Sequence, residues 1–260
     1  MQRTLSPQAL QIIHEYLSLP IGNVSAPCPY YNNRRQKIRG ALRALVGKGS
    51  VEDIIEEVTI LSLKEKISLK TFDVSTASRF LIDHHIGIDC AGLVYYILNA
   101  ELLARKKKSL HASLLHPTVR GVIRQFLIRL RTVENTNVAT FANEKNSVKV
   151  HLDDITPSDI ITMEKTGIHH DRDHILLIHE VTYENALPHI IHYTHAFQWT
   201  TDGPYGHGVC QGTIEIVDRQ TSLLEQRWLE KEKKGAENET LMHAKQADRL
   251  EVRRLCVLER

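Results

Sequence analysis

Cys90 is the residue best suited to covalent chemistry. It stands between Asp89 and the run Ala91-Gly92-Leu93-Val94-Tyr95-Tyr96-Ile97-Leu98. Leu93, Val94, Ile97 and Leu98 follow it by three, four, seven and eight residues, the spacing of a helix face that packs on a core. This spacing predicts that Cys90 lies in the first turn of a buried helix, with Asp89 as its N-cap. Unpaired N–H groups and the positive end of the macrodipole at a helix start favour a thiolate. Cysteines in such positions beside a histidine titrate at roughly 3.5–7.5, against about 8.5 for a free thiol. The expectation is therefore a nucleophile at neutral pH. The competing reading is a small core cysteine with no chemistry.

A cysteine nucleophile needs a base and a group that orients the base, and neither has to be close in sequence. Downstream, Thr156-Pro157-Ser158-Asp159 reads as a turn feeding a short strand, and a second strand runs from His174 through Val181. A third, His189 to Ala196, carries histidines in both alternation phases. His189, Tyr193 and His195 share one side and His192 takes the other. Adjacent antiparallel strands of this kind can turn one imidazole toward the thiol and place another polar group behind it.

The order Asp-Cys-Ala-Gly-Leu-Val, Pro-Ser-Asp-Ile-Ile, His-Ile-Leu-Leu-Ile and Thr-His-Ala resembles the NlpC-type papain-like cysteine peptidases and amidases. In that family Asp-Cys-Ser-Gly-Phe-Val opens the nucleophile helix, and Pro-Gly-Asp-Leu and His-Val-Gly-Ile open core strands. The resemblance covers roughly residues 88–218, with an echo at Ile21-Gly22 and Pro29-Tyr30. It implies Cys90 as nucleophile, His174 as base and His195 as orienter, with His192 as the competitor for the last role. It also implies Tyr30 and Asp89 at the substrate. Ala91 replaces the usual Ser, Ser158 the usual Gly, and Leu176 the Gly after the histidine. About 60 residues separate Tyr30 from Cys90 where the family has about a dozen.

The elements that would position these groups follow from local pattern. Ser6-Pro7 starts a helix that ends near Leu19-Pro20. Helical patterns at about 34–46, 50–66 and 74–84 form an insertion at about 32–86, and another helix is predicted at about 117–131. Strands are predicted near 159–163, 174–182, 189–196, 211–218 and 251–257, the last carrying Cys256. The excursion at about 224–250, with Glu230-Lys231-Glu232-Lys233-Lys234, reads as a charged, solvated surface. The expected fold is α+β and papain-like, a single domain over 1–260, with helices packed on a curled antiparallel sheet of about five strands.

Composition narrows the rest. The chain has 260 residues, 42% of them hydrophobic, enough to bury roughly 70–75% of the unfolded surface. A net charge of +2 gives no global electrostatic case for nucleic acid. No run of 18 apolar residues is present, so no membrane span is expected. The start of the chain lacks the pattern of a secretory signal, so a cytoplasmic location is expected. Four cysteines, at 28, 90, 210 and 256, lack metal or disulfide-framework spacing and read as reduced thiols, with no cofactor and no metal. Between Leu102 and Val133 stand eight Lys or Arg and no Asp or Glu, a solvated face or a lure for an anionic substrate.

The resulting expectation is a cysteine hydrolase that cleaves peptide or isopeptide amides. The resemblance implies bacterial cell-wall peptides as substrates. Two other readings stand beside it. One is an inactive NlpC-like binding module. The other is a metal-dependent hydrolase built on His169-His170-Asp171-Arg172-Asp173-His174 with His192 or His195.

Overall fold

The long periodic segments pair first with their neighbours in sequence. β5 (Ile160–Thr166), β6 (Arg172–Glu184), β7 (Leu187–Phe197) and β8 (Gly208–Glu215) form an antiparallel run, and β10 (Arg249–Leu255) adds to the outer edge of β5. The computed structural model describes residues 1–32, 43–116, 128, 131–230 and 237–259. Within them three short strands extend the sheet: β1 (Gln2–Thr4), β4 (Ser147–Lys149) and β9 (Arg227–Leu229). The order is β4-β10-β5-β6-β7-β8-β9, with β1 beside the far half of β6. The chain is α+β, as expected, but the sheet has eight strands rather than five and is an open path. The additional strands hold three residues each, too few for a period-two pattern to stand out. Leu19–Ile21 and Val24–Ala26 form a separate hairpin, β2 and β3.

The helix Cys90–Lys106 starts where the apolar spacing puts it. With the helix Pro7–Leu17, capped by the Ser6 hydroxyl, it covers one sheet face through Ile160, Ile175, Leu177, Ala196 and Val209. The other face carries Ile161, Met163, Leu176, Ile178, Tyr193 and Trp228 under the helix Glu239–Gln246. The insertion supplies the helices Val51–Glu65 and Val74–Asp83, whose Ile54, Val58, Phe80 and Leu81 join the same core as Leu93.

Some expected elements lie outside the described residues. These are most of the patterns at 34–46 and 117–131, and residues 231–236 of the charged excursion. Cys256 begins a short helix, Cys256–Glu259, instead of continuing the last strand. No described helix is long and apolar enough to cross a membrane. Arg105 and Lys106 close the last turn of the Cys90 helix, about 23 Å from Cys90 at 1.5 Å per residue. They complement the negative end of the helix rather than draw a substrate to the thiol; positions 120, 124 and 129 lie outside the described residues.

One glycine shapes the sheet beneath the site. Gly212 pairs with Tyr193 across β7 and β8, and a Cβ there would come within 2.3 Å of the Tyr193 ring. Gly212→Ala is expected to cost about 1–3 kcal/mol through overpacking, measured as a shift in urea midpoint with unchanged slope. An alanine variant as stable as the wild type would show that the ring moves freely.

Candidate active site

The Cys90 helix is fixed at its start by four hydrogen bonds. The Asp89 side chain accepts the Gly92 N–H at 2.6 Å. Lys48 Nζ donates to the same carboxylate oxygen at 2.8 Å and to the Thr136 carbonyl at 2.8 Å. The Asp89 N–H donates to the Gly47 carbonyl at 2.9 Å. Gly47 has φ 75° and lies tight against the Tyr31 carbonyl, a position that requires glycine. Asp89 is thus a cap and ion-pair partner for the helix, and it also lines the cavity described next.

Cys90 and His174 line one cavity of about 470 Å³, whose wall also includes Tyr30, Lys48, Phe197 and His243. Pairing of His174 with Met163 puts its ring on the sheet face away from the Cys90 helix. The cavity reaches both residues at the end of the sheet, and the Cys90 thiol interacts with the backbone N–H of Ile175, next to His174. Among the described residues no hydrogen bond joins Cys90 to His174. Tyr30, in the wall of this cavity, lies edge-on to Phe197 at 6.5 Å.

Behind His174 runs a buried polar chain. His174 Nε2 lies 2.7 Å from His195 Nδ1, and His195 Nε2 lies 3.0 Å from Glu230 Oε1. The Tyr193 hydroxyl donates to Glu230 Oε2 at 2.7 Å. Cys210 Sγ lies 3.2 Å from His195 Nε2 and 3.5 Å from Glu230 Oε1. Register explains the gathering: His195 faces Cys210 across β7 and β8, so both project to the side on which His174 stands. His192 takes the opposite phase, bonded to Thr213 at 3.1 Å and close to Glu180, and does not touch His174.

Glu230, Cys210 and Lys48 are the site residues that sequence reasoning missed. The side chain of Glu230 is 0% exposed, which overturns the solvated reading at the head of the charged run. A signal was available: Trp228 and Glu230 share a strand phase, so a tryptophan facing the core carries the carboxylate inward with it. His169 is not gathered with His174, and His170 binds the Lys165 carbonyl and Asp248 at the surface. The His169–His174 metal reading is therefore not supported.

The charges differ from expectation. Burial pushes the Cys90 thiol up to about 12, and the Asp89 carboxylate acts in the same direction against Lys48 and the N–H groups of Ile175 and Ala91. The helix start does favour a thiolate, but desolvation outweighs it, so the resting group is a thiol. Burial, then His195 and His243, hold His174 neutral, well below the ordinary histidine value. Burial also opposes charge on His195, yet Cys210 and Glu230 lift it to about 10. His179, on the other phase of β6, is lowered to about 4 by burial and by His192.

These directions set an acid limb of stability. A histidine with a depressed folded pKa stabilises above its unfolded value near about 6.5, and the contribution is lost as pH falls toward the folded value. For His179 the window is about 6.5 down to about 4, and the slope is at most about 1.4 kcal/mol per pH unit. Urea unfolding at pH 7 and pH 5 should show the loss, and His179→Gln should reduce it. An equal slope in that variant would assign the acid limb to other groups.

Comparison of the chain with protein-family models, with curated proteins and with solved structures finds no match in any of the three.

Proposed function

We propose that the protein is a cysteine hydrolase of papain-like arrangement acting on peptide or isopeptide amides, with Cys90 as nucleophile, His174 as base and His195 as its positioning residue. The observation that carries this reading is the continuous chain from the Cys90 cavity through His174 and His195 to the buried Glu230. A second feature favours the NlpC-type variety: Ser158, where that family has glycine, has φ 81°, a left-handed conformation that glycine adopts most easily.

The chemistry follows from where the protons sit. With its own proton on Nε2, toward Glu230, His195 offers Nδ1 as an acceptor. His174 then donates through Nε2 and keeps Nδ1 free to take the Cys90 proton as sulfur attacks the carbonyl. Attack and proton transfer are coupled because the resting thiol is neutral. First-turn N–H groups, which have no partner within the helix itself, hold the oxyanion. Proton return from His174 releases the amine, and water then cleaves the acyl-enzyme. A second proton on His195, at Nδ1, reverses its bond to His174 and moves the His174 proton onto Nδ1, where it blocks the base. Cys90 reactivity should therefore climb as pH rises from neutral toward about 10, where His195 loses that proton.

The test is the rate of Cys90 alkylation by iodoacetamide near pH 10, where His195 has shed its second proton, followed by mass spectrometry of the native chain. His174→Ala should slow it by about 10²-fold or more, the usual contribution of a positioned base, while His192→Ala leaves it within about twofold. Equal rates in wild type and His174→Ala would remove His174 from the mechanism. An inert thiol that reacts only on unfolding would leave the binding-module reading.

A further inference from the structure

We infer that His195, Cys210 and Glu230 form a binding site for a zinc-type divalent metal ion that holds the neighbouring cleft inactive. Three donors of different chemistry converge on one point: His195 Nε2, Cys210 Sγ and Glu230 Oε1, separated pairwise by 3.2, 3.0 and 3.5 Å. Zinc–nitrogen and zinc–oxygen bonds of about 2.0–2.2 Å and a zinc–sulfur bond of about 2.3 Å place tetrahedral neighbours roughly 3.4–3.6 Å apart. An ion entering the cluster has to spread these atoms by only a few tenths of an ångström. Among the described residues this is the one such group of three or more His, Cys, Asp or Glu ligand atoms.

The surroundings match what metal ligands need. A ligating histidine is oriented by a hydrogen bond at its other ring nitrogen and a ligating carboxylate by one at its other oxygen. His195 Nδ1 has His174, and Glu230 Oε2 has the Tyr193 hydroxyl. His195 and Glu230 side chains are 0% exposed, and an uncompensated charge there is costly. One thiolate, one carboxylate and a dication sum to zero, and the ion displaces the protons on Cys210 Sγ and His195 Nε2 to solvent. Neutral imidazole, thiolate and carboxylate together select a borderline-soft ion of the zinc type over magnesium or calcium.

The effect on the cleft rests on the hydrolase reading above. A metal on His195 Nε2 leaves the ring proton on Nδ1, which then donates to His174 Nε2. The His174 proton is confined to Nδ1 and cannot be exchanged for that of Cys90.

The binding test uses the full chain carrying Cys90→Ser, which removes the cleft thiol as a competing ligand. Dialysis against zinc followed by elemental analysis should give one ion per chain. Loading with cobalt(II) should give a sulfur-to-metal charge-transfer band that is lost on adding Cys210→Ser and kept on adding Cys256→Ser. Absence of the band, or its survival without Cys210, would overturn the site. If Cys210→Ser does not fold, X-ray absorption of the zinc-loaded Cys90→Ser chain decides the same point: a single sulfur at about 2.3 Å supports the site, and none or two overturns it. The inhibitory arm is read on the wild type. At pH about 10, where the metal-free His195 has lost its second proton, zinc should slow Cys90 alkylation at least tenfold in the wild type but not in Cys210→Ser, and chelation should restore it. Stoichiometric binding with an unchanged rate would overturn the inactivation but keep the site. A Cys90 that is inert in the metal-free chain would instead contradict the hydrolase reading and leave the binding result standing.

Discussion

If the protein is the proposed cysteine hydrolase, Cys90→Ser is expected to lower amide hydrolysis by at least about 10⁴-fold, the scale of removing a nucleophile that works as a unit with its base. The unfolding free energy should change by less than about 1 kcal/mol. The two effects separate because the residue is nearly isosteric with serine while its chemistry depends on sulfur. At the resting pKa of about 12 the thiol is not pre-ionised, so on the proposed mechanism its advantage over a hydroxyl lies in how easily His174 removes the proton as the bond forms. Hydrolysis of a panel of peptide and isopeptide amides, set beside urea unfolding of the same samples, gives both numbers. Turnover that survives in Cys90→Ser would move the nucleophile elsewhere. A variant that unfolds would instead make Cys90 a packing residue.

Glu230→Ala is expected to show the largest loss of stability, about 3–5 kcal/mol at neutral pH, the usual consequence of stripping one partner from a buried charge pair. Its carboxylate faces His195 in a place that water does not reach, and His195 and Tyr193 both bond to it. The sign with pH is fixed by the raised His195 value. A histidine whose folded pKa is lifted stabilises fully below its unfolded value near about 6.5 and loses that contribution as pH rises through the folded value, here about 10. The difference between wild type and Glu230→Ala should therefore shrink between pH 7 and pH 10. A gap that does not change with pH would mean that Glu230 acts through packing alone. A loss below about 1 kcal/mol would mean that the cluster rearranges without it.

What the sequence determined is local. The spacing after Cys90 located the start of its helix, because side chains three and four apart lie on one face and only one face can meet the sheet. Alternation from His189 to Ala196 separated His195 from His192 for a similar reason. The helices over Val51–Glu65 and Val74–Asp83 were legible from periodicity, and the structure adds Ser50 and Asp73 as their caps. The three-residue strands were not legible, since they are too short to repeat.

Tertiary structure decided which distant residues meet and how dry their meeting place is. Lys48 reaches Asp89 across 41 residues and Glu230 reaches His195 across 35, separations at which periodicity carries no information. Glu230 opens a run of charged residues that reads as solvated surface; its phase with Trp228 hints at an inward direction, but its place beneath Tyr193 and His195 is what gives the buried carboxylate its partners. The thiol shows the same division. Helix-start N–H groups favour a thiolate, as the sequence implies, but the sign of the net shift depends on burial, and burial is a property of all the layers packed around Cys90 rather than of its neighbours in the chain.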